Sequence, residues 1–246
     1  MRPRIAIPVP HSSDREYAER SLPQYEHAVK MAGGEPVRIP VDLPPAEVMK
    51  QIERCDAVLL PGSKADVDPE KYGAARDPET AAADSGRDTV DELLLQDAYN
   101  MRKPILGICY GLQILNVYRT GTLLQHIESP IDHAVGRKLT VAHNVEVKTG
   151  SKLAEIIGAS AEIPVNSSHH QSAEVIGDGL QVVARSPQDR IVEAVEGTSP
   201  DHFVLAVQWH PERSVDDDEP SRAIFRALIE AAQNRHVKLV GEFETL

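Results

Sequence analysis

Residues 104–118 read PILGICYGLQILNVY. A short apolar run meets a cysteine bracketed by glycines, and a helix-period pattern begins at once behind it. Strand, tight turn and helix in that order belong to parallel sheets covered by helices, with the turn residue at the carboxyl end of its strand. A side chain on such a turn is held in a strained backbone conformation and presented outward. Glycines two residues to either side, Gly107 and Gly111, keep neighbouring side chains out of the turn. The amino end of the following helix favours a thiolate at Cys109. With 15 glycines in 246 residues and two cysteines, chance supplies on the order of 0.007 such frames.

The rest of the chain fits that scaffold. Apolar runs at Ile5–Val9, Pro36–Ile39 and Ala57–Leu60 read as strands. They alternate with helical stretches at Tyr17–Met31, stopped by Gly33-Gly34, and at Pro45–Arg54, with proline at its start. Residues 73–88 read as an exposed connection before a helix at Thr89–Met101. Beyond Gly121 the pattern changes to short β-like runs at Lys138–Val141, Val145–Val147, Gln181–Ala184, Ile191–Val195 and Phe203–Gln208, then a helix at Pro220–Gln233. The expectation is an α/β fold, a mostly parallel central sheet flanked by helices, with an added antiparallel section. One domain covers 1–235, and 236–246 forms a C-terminal extension.

Composition narrows the function. Hydrophobic residues make up 41% of the chain, which is ordinary for a globular protein. The net charge of −12 disfavours nucleic acid and anionic membrane as partners, since both need a cationic face. Two cysteines do not make a disulfide framework, and neither a secretory signal nor an 18-residue apolar run is seen. A cytoplasmic protein is expected.

A cysteine nucleophile needs a base, and the base needs a group to hold its ring. VLAVQWHPE ends a strand and sets His210 two residues from Glu212, a carboxylate able to turn back to the imidazole. Cys55 has no glycine frame and reads as inert. His11, His27, His202 and His236 read as solvated; His126, His133 and His143 read as cleft-lining or as ordinary surface and core positions. No HxxxH, HxxEH or CxxC spacing occurs, so neither a metal nor a cofactor is expected.

GICYGLQ together with QWHPE resembles the class I glutamine amidotransferases. DVDPEKYG (66–73), Arg87-Asp88, GTLLQHI (121–127) and VNSSHHQS (165–172) narrow the resemblance to the γ-glutamyl-γ-aminobutyrate hydrolase family. The resemblance implies that Cys109 forms a γ-glutamyl thioester, His210 moves the proton and Glu212 orients His210. It implies an oxyanion held by the Tyr110 amide and by one from Gly62 or Ser63. It also implies a glutamyl head met by Gln113, with Ser168, His169 and Gln171 bordering the pocket. The expected partner is a small γ-glutamyl substrate, with no obligatory synthase; homo-oligomerisation stays open, and putrescine breakdown is the setting the family suggests.

Three departures matter, one of them the end, HVKLVGEFETL, which runs past the last helix and is open to reading as disordered, an added strand or an oligomer contact. The loop after Leu60 reads Pro61-Gly62-Ser63 where relatives commonly carry Gly-Gly, leaving open which amide completes the oxyanion site. Tyr110 stands where such hydrolases often carry arginine, leaving open which amine is released. Two other readings compete: a glutaminase subunit that feeds ammonia to a synthase, and a non-catalytic binding protein on the same scaffold.

Overall fold

The computed structural model describes residues 2–158 and 162–244. In chain order its strands and helices are β1 (Arg4–Pro8), α1 (Arg15–Met31), β2 (Glu35–Ile39), α2 (Pro45–Ile52), β3 (Ala57–Leu60), α3 (Ser85–Met101), β4 (Ile105–Ile108), α4 (Tyr110–Tyr118) and β5 (Leu123–Leu124). There follow β6 (His143–Val147), α5 (Lys152–Ile157), β7 (Glu162–Val165), β8 (Ser172–Ala173), β9 (Leu180–Arg185), β10 (Val192–Gly197), β11 (Val204–Val207) and α6 (Glu219–Glu244). Nine strands form one sheet in the order β2-β1-β3-β4-β11-β10-β9-β6-β7. From β2 to β11 the neighbours run parallel; from β11 to β7 they run antiparallel. Among the described residues, no helix is long and apolar enough to cross a membrane.

The parallel strands read as unbroken apolar runs because both faces of the sheet are covered. In β3 all four residues are buried, and their side chains alternate between two cores. Ala57 and Leu59 join Tyr25 and Val29 of α1 and Phe225 and Leu228 of α6. Val58 and Leu60 join Leu94 and Leu95 of α3 and Leu112 and Leu115 of α4. Helices on either side thus hold β4 at the centre of the sheet, and with it the turn at Cys109.

Three local expectations are corrected. Lys138–Val141 is not a strand: a 3₁₀ turn covers Gly136–Lys138, and Leu139 and Val141 are 54% and 49% exposed, an alternation with no partner strand. The stretch 73–88 is a largely exposed connection only as far as 83: Thr80 is buried within it, and α3 begins at Ser85, with Asp84, Arg87 and Asp88 buried. Helix α5 went unread because it is barely two turns long. Its signals are nonetheless present: the Ser151 hydroxyl accepts from the Ala154 amide, and Gly158 ends it at φ 65°. Helix α6 spans Glu219–Glu244; of the expected C-terminal extension, residues 245 and 246 lie outside the described residues.

Candidate active site

Cys109 sits between β4 and α4 at φ 54°, ψ −106°, a conformation that costs an L-residue about 1–3 kcal/mol. Its surroundings fix it there. The Cys109 amide donates to the Val207 carbonyl at 2.8 Å, and its carbonyl accepts from the amides of Leu112 and Gln113. The flanking glycines are steric necessities. A Cβ on Gly107 would lie 2.7 Å from the Gly111 oxygen, and one on Gly111 would lie 2.2 Å from the Leu60 oxygen.

His210 follows β11, the parallel neighbour of β4. Asn166 grips its main chain reciprocally: the His210 amide donates to Asn166 Oδ1 at 3.0 Å, and Asn166 Nδ2 donates to the His210 carbonyl at 2.8 Å. His210 Nδ1 lies 2.8 Å from Glu212 Oε1, which leaves Nε2 as the free ring nitrogen. Cys109 and His210 both border Gly62. A Cβ there would lie 3.0 Å from His210 Cε1 and 3.6 Å from Cys109 Cβ. All three side chains are buried: Cys109 is 5% exposed, His210 3% and Glu212 5%.

Burial dominates the electrostatics. It pushes the Cys109 thiol up to about 12, with Arg213 pulling it down, Glu212 adding to the rise and the Tyr110 amide opposing it. This corrects the sequence expectation of a thiolate favoured by the helix end: loss of water outweighs the α4 amides. Burial also lowers His210, against the pull of Glu212. Glu212 itself stays below its ordinary value: burial works against its charge, but His210 and Arg213 offset it. The resting set is a neutral thiol, a neutral imidazole and a carboxylate. Nucleophile, base and orienter of this kind support acyl transfer by proton abstraction at the moment of attack.

The Gly62 amide is occupied, donating to the Tyr25 hydroxyl at 3.0 Å. Among the described residues the Ser63 amide has no acceptor. Gln113 donates from Nε2 to the Gln171 carbonyl at 3.2 Å. The Ser168 carbonyl rests 4.0 Å from Cys109 Sγ. Gln171 is buried, and its Nε2 donates to the Gln125 carbonyl. His169 turns elsewhere: its Nδ1 pairs with the Gln171 carbonyl and its Nε2 faces Glu193 at 3.6 Å. Its Nδ1 is thereby engaged, while Nε2 is buried with no hydrogen bond among the described residues.

Tyr110 does not line the site. Its hydroxyl donates to Asp88, and its ring packs 5.1 Å from the Arg87 guanidinium. The side chain after Cys109 is thus packed against Asp88 and Arg87 of α3. Arg87, fully buried, binds both oxygens of Asp91 and donates to the carbonyls of Pro10 and Pro61, steadying the loop that carries Gly62. Asp66 takes the His170 ring and the Ala81 amide, tying the DVDPEKYG loop to the segment around Ser168.

Two residues escaped the sequence reading. Asn166 stood inside VNSSHHQS, but its partner is a main chain 44 residues away. Arg213 directly follows Glu212; its Nε lies 3.5 Å from Glu212 Oε1, and Nε and Nη1 are buried with no hydrogen bond among the described residues. The "HPER" order was the signal available for it.

Comparison with known proteins gives the family and the fold. The profile of the family described as Peptidase C26 matches residues 6–212. The chain is 39% identical over 212 residues to "Putative glutamine amidotransferase Rv2859c" of Mycobacterium tuberculosis, covering 85% of this chain and 66% of that protein, so it spans about two thirds of that relative's length. It is 34% identical over 244 residues to the γ-glutamyl-γ-aminobutyrate hydrolase PuuD of Escherichia coli K12, with 94% of each chain covered. Its fold matches the glutaminase domain of Trypanosoma brucei CTPS at a TM-score of 0.61, with 19% identity over 94% of each chain.

Proposed function

The chain belongs to the Peptidase C26 family of class I glutamine amidotransferase-like domains, and we propose that it hydrolyses γ-glutamyl amides through a thioester on Cys109. The observation that supports this reading is the buried His210–Glu212 hydrogen bond on a ring that borders Gly62, as the strained Cys109 turn does.

As Cys109 Sγ attacks the side-chain amide carbon, His210 Nε2 takes the thiol proton. The imidazolium so formed is stabilised by Glu212 through Nδ1–H, which also fixes the tautomer. Negative charge on the carbonyl oxygen is received by the amides of Tyr110 and Ser63. Arg213 adds positive charge beside a sulfur that is otherwise desolvated. The tetrahedral species collapses, the C–N bond breaks, and the amine leaves with the proton returned by His210. Water, activated by the same ring, then cleaves the thioester to glutamate and free thiol.

A small γ-glutamyl amine is the substrate class, and no synthase partner is required. The 34% identity over 94% of both chains to a relative named as a γ-glutamyl-γ-aminobutyrate hydrolase supports this. The likeness to a glutaminase domain, at 19% identity, speaks for the fold alone. The test is to offer purified protein γ-glutamyl-γ-aminobutyrate, other γ-glutamyl amines and free glutamine, and to measure glutamate, amine and ammonia. Amine release well above ammonia release from glutamine is expected. Turnover of glutamine alone, or only with an added synthase, would replace this reading with the glutaminase one.

A further inference from the structure

Behind the wall that carries Ser168, three imidazoles and one carboxylate converge. His133 comes from the segment before β6, His143 from the start of β6, His169 from the loop after β7, and Glu193 from β10. They are 3%, 8%, 4% and 0% exposed, and one ligand atom from each lies within 4.8 Å of all the others. His133 Nδ1, His143 Nε2 and His169 Nε2 stand 3.3, 3.5 and 3.6 Å from Glu193 Oε1.

The outer ring nitrogens decide what the inner ones carry. His143 Nδ1 meets the Asn144 carbonyl, and His169 Nδ1 the Gln171 carbonyl, each at 3.0 Å. A carbonyl only accepts, so both Nδ1 atoms bear hydrogen and both Nε2 atoms of the neutral rings are bare lone pairs. His133 Nε2 meets Asp189 Oδ2 at 2.8 Å, and Ser129 donates to the same oxygen. Lone pairs thus face a buried carboxylate, and among the described residues neither the three inner nitrogens nor either Glu193 oxygen has a hydrogen bond. Such a set is unfavourable in a dry interior without positive charge at its centre. Protonating His133 alone would bridge Asp189 and Glu193 but leave the His143 and His169 lone pairs without a partner, and protonating every ring would crowd cations whose ring centroids are only 4.5 and 5.0 Å apart.

A single metal ion answers the arrangement. A tetrahedron with bonds of about 2.1 Å has edges of about 3.4 Å, close to the three nitrogen–oxygen spacings. The outer contacts are those that orient ligating histidines. We propose that His133, His143, His169 and Glu193 bind one zinc ion in a closed, four-ligand structural site.

Its position gives it a task. His169 lies one residue from Ser168, whose carbonyl abuts the sulfur, and three from Asn166, which grips His210. The ion pins that segment to β6 and β10 and so holds one wall of the active site. The site stands or falls independently of which amide is cleaved.

Untagged protein expressed with zinc in the medium should carry about one zinc per chain by elemental analysis. Stripped protein refolded with cobalt should show the intense visible bands of tetrahedral coordination. Cys109→Ala should retain both signals; Glu193→Gln and His143→Asn should fall below about a tenth of an equivalent. Wild-type protein that holds no metal and develops no cobalt bands would overturn the proposal and leave a proton-balanced network. Loss of metal in Cys109→Ala with retention in Glu193→Gln would overturn it too, by moving the ion to the thiol. Should either ligand variant fail to fold, wild-type stoichiometry and the cobalt spectrum decide alone.

Discussion

The two halves of the sheet bring side chains together in different ways. In the parallel half, Cys109 sits directly beyond β4, and His210 and Glu212 follow β11, the strand that pairs with β4. Two short sequence segments, each one strand and one turn long, supply the three side chains proposed for acyl transfer. In the antiparallel half, His133, His143, His169 and Glu193 come from four separate segments and meet only because β6, β9 and β10 are neighbours. A site made of adjacent strand ends leaves a local motif; a site made by strand pairing over long separations leaves none. The comparison also assigns labour: substitutions in the first set should stop chemistry and spare the fold, whereas those in the second should loosen the fold and touch chemistry through the wall.

The largest effect tests the first set at its centre. Cys109→Ala should lower turnover of a γ-glutamyl amide by about 10⁴-fold or more, while circular dichroism and the melting temperature stay close to wild type. The positive φ of 54° is costly for any residue with a Cβ, so alanine keeps that cost and loses only the sulfur. Collapse of the fold instead would show that the sulfur serves packing.

Glu212→Gln comes next. The amide can still hydrogen-bond Nδ1 but no longer stabilises the imidazolium, so kcat should fall by about 10²–10⁴-fold. The pH profile sharpens the point. His210 is competent when neutral, and burial sets it below its ordinary 6.5; kcat/KM should therefore hold at neutral pH and fall only in acid, as the ring protonates. In Glu212→Gln the carboxylate that favours the charged ring is gone, and the residual acid limb should move to still lower pH. A limb that stays in place would separate His210 from the titration.

Asn166 lies on the seam between the halves, and it shows what the sequence revealed and what it withheld. The strands buried on both faces, the cysteine turn and the His-Pro-Glu pair were legible because each is a run of neighbouring residues obeying one local rule. The edge region was not: Leu139 and Val141 alternate like a strand, but only a partner makes a strand, and none pairs with them. Nor did any local rule mark Asn166, whose two bonds run to the main chain at His210, or turn His169 toward Glu193. Asn166→Ala removes both bonds to His210. It should cost about 1–3 kcal/mol of stability, lower kcat by about 10–100-fold through misplacement of the ring, and leave the acid limb where it was. A change in stability with full turnover would confine the seam to a structural role.

The smallest effect belongs to the second cysteine, and it isolates geometry from environment. Cys55 and Cys109 are both buried, 3% and 5% exposed, and burial raises both thiols, to about 11 and about 12. Neither desolvation nor acidity separates them. What separates them is the turn. Cys55 follows α2 without a positive φ, and its thiol is satisfied by the Gln51 carbonyl at 3.4 Å. Cys109 stands on a strained bend, shares Gly62 with an oriented imidazole, and has only a 4.0 Å contact with the Ser168 carbonyl. Cys55→Ala should therefore keep turnover within about twofold and cost about 1 kcal/mol in stability, from a small cavity and one weak hydrogen bond. Chemical denaturation and steady-state kinetics on the same preparation measure both. A tenfold loss of turnover at full stability would mean that burial alone makes a thiol reactive in this fold, and the contrast between the two turns would carry no chemical weight.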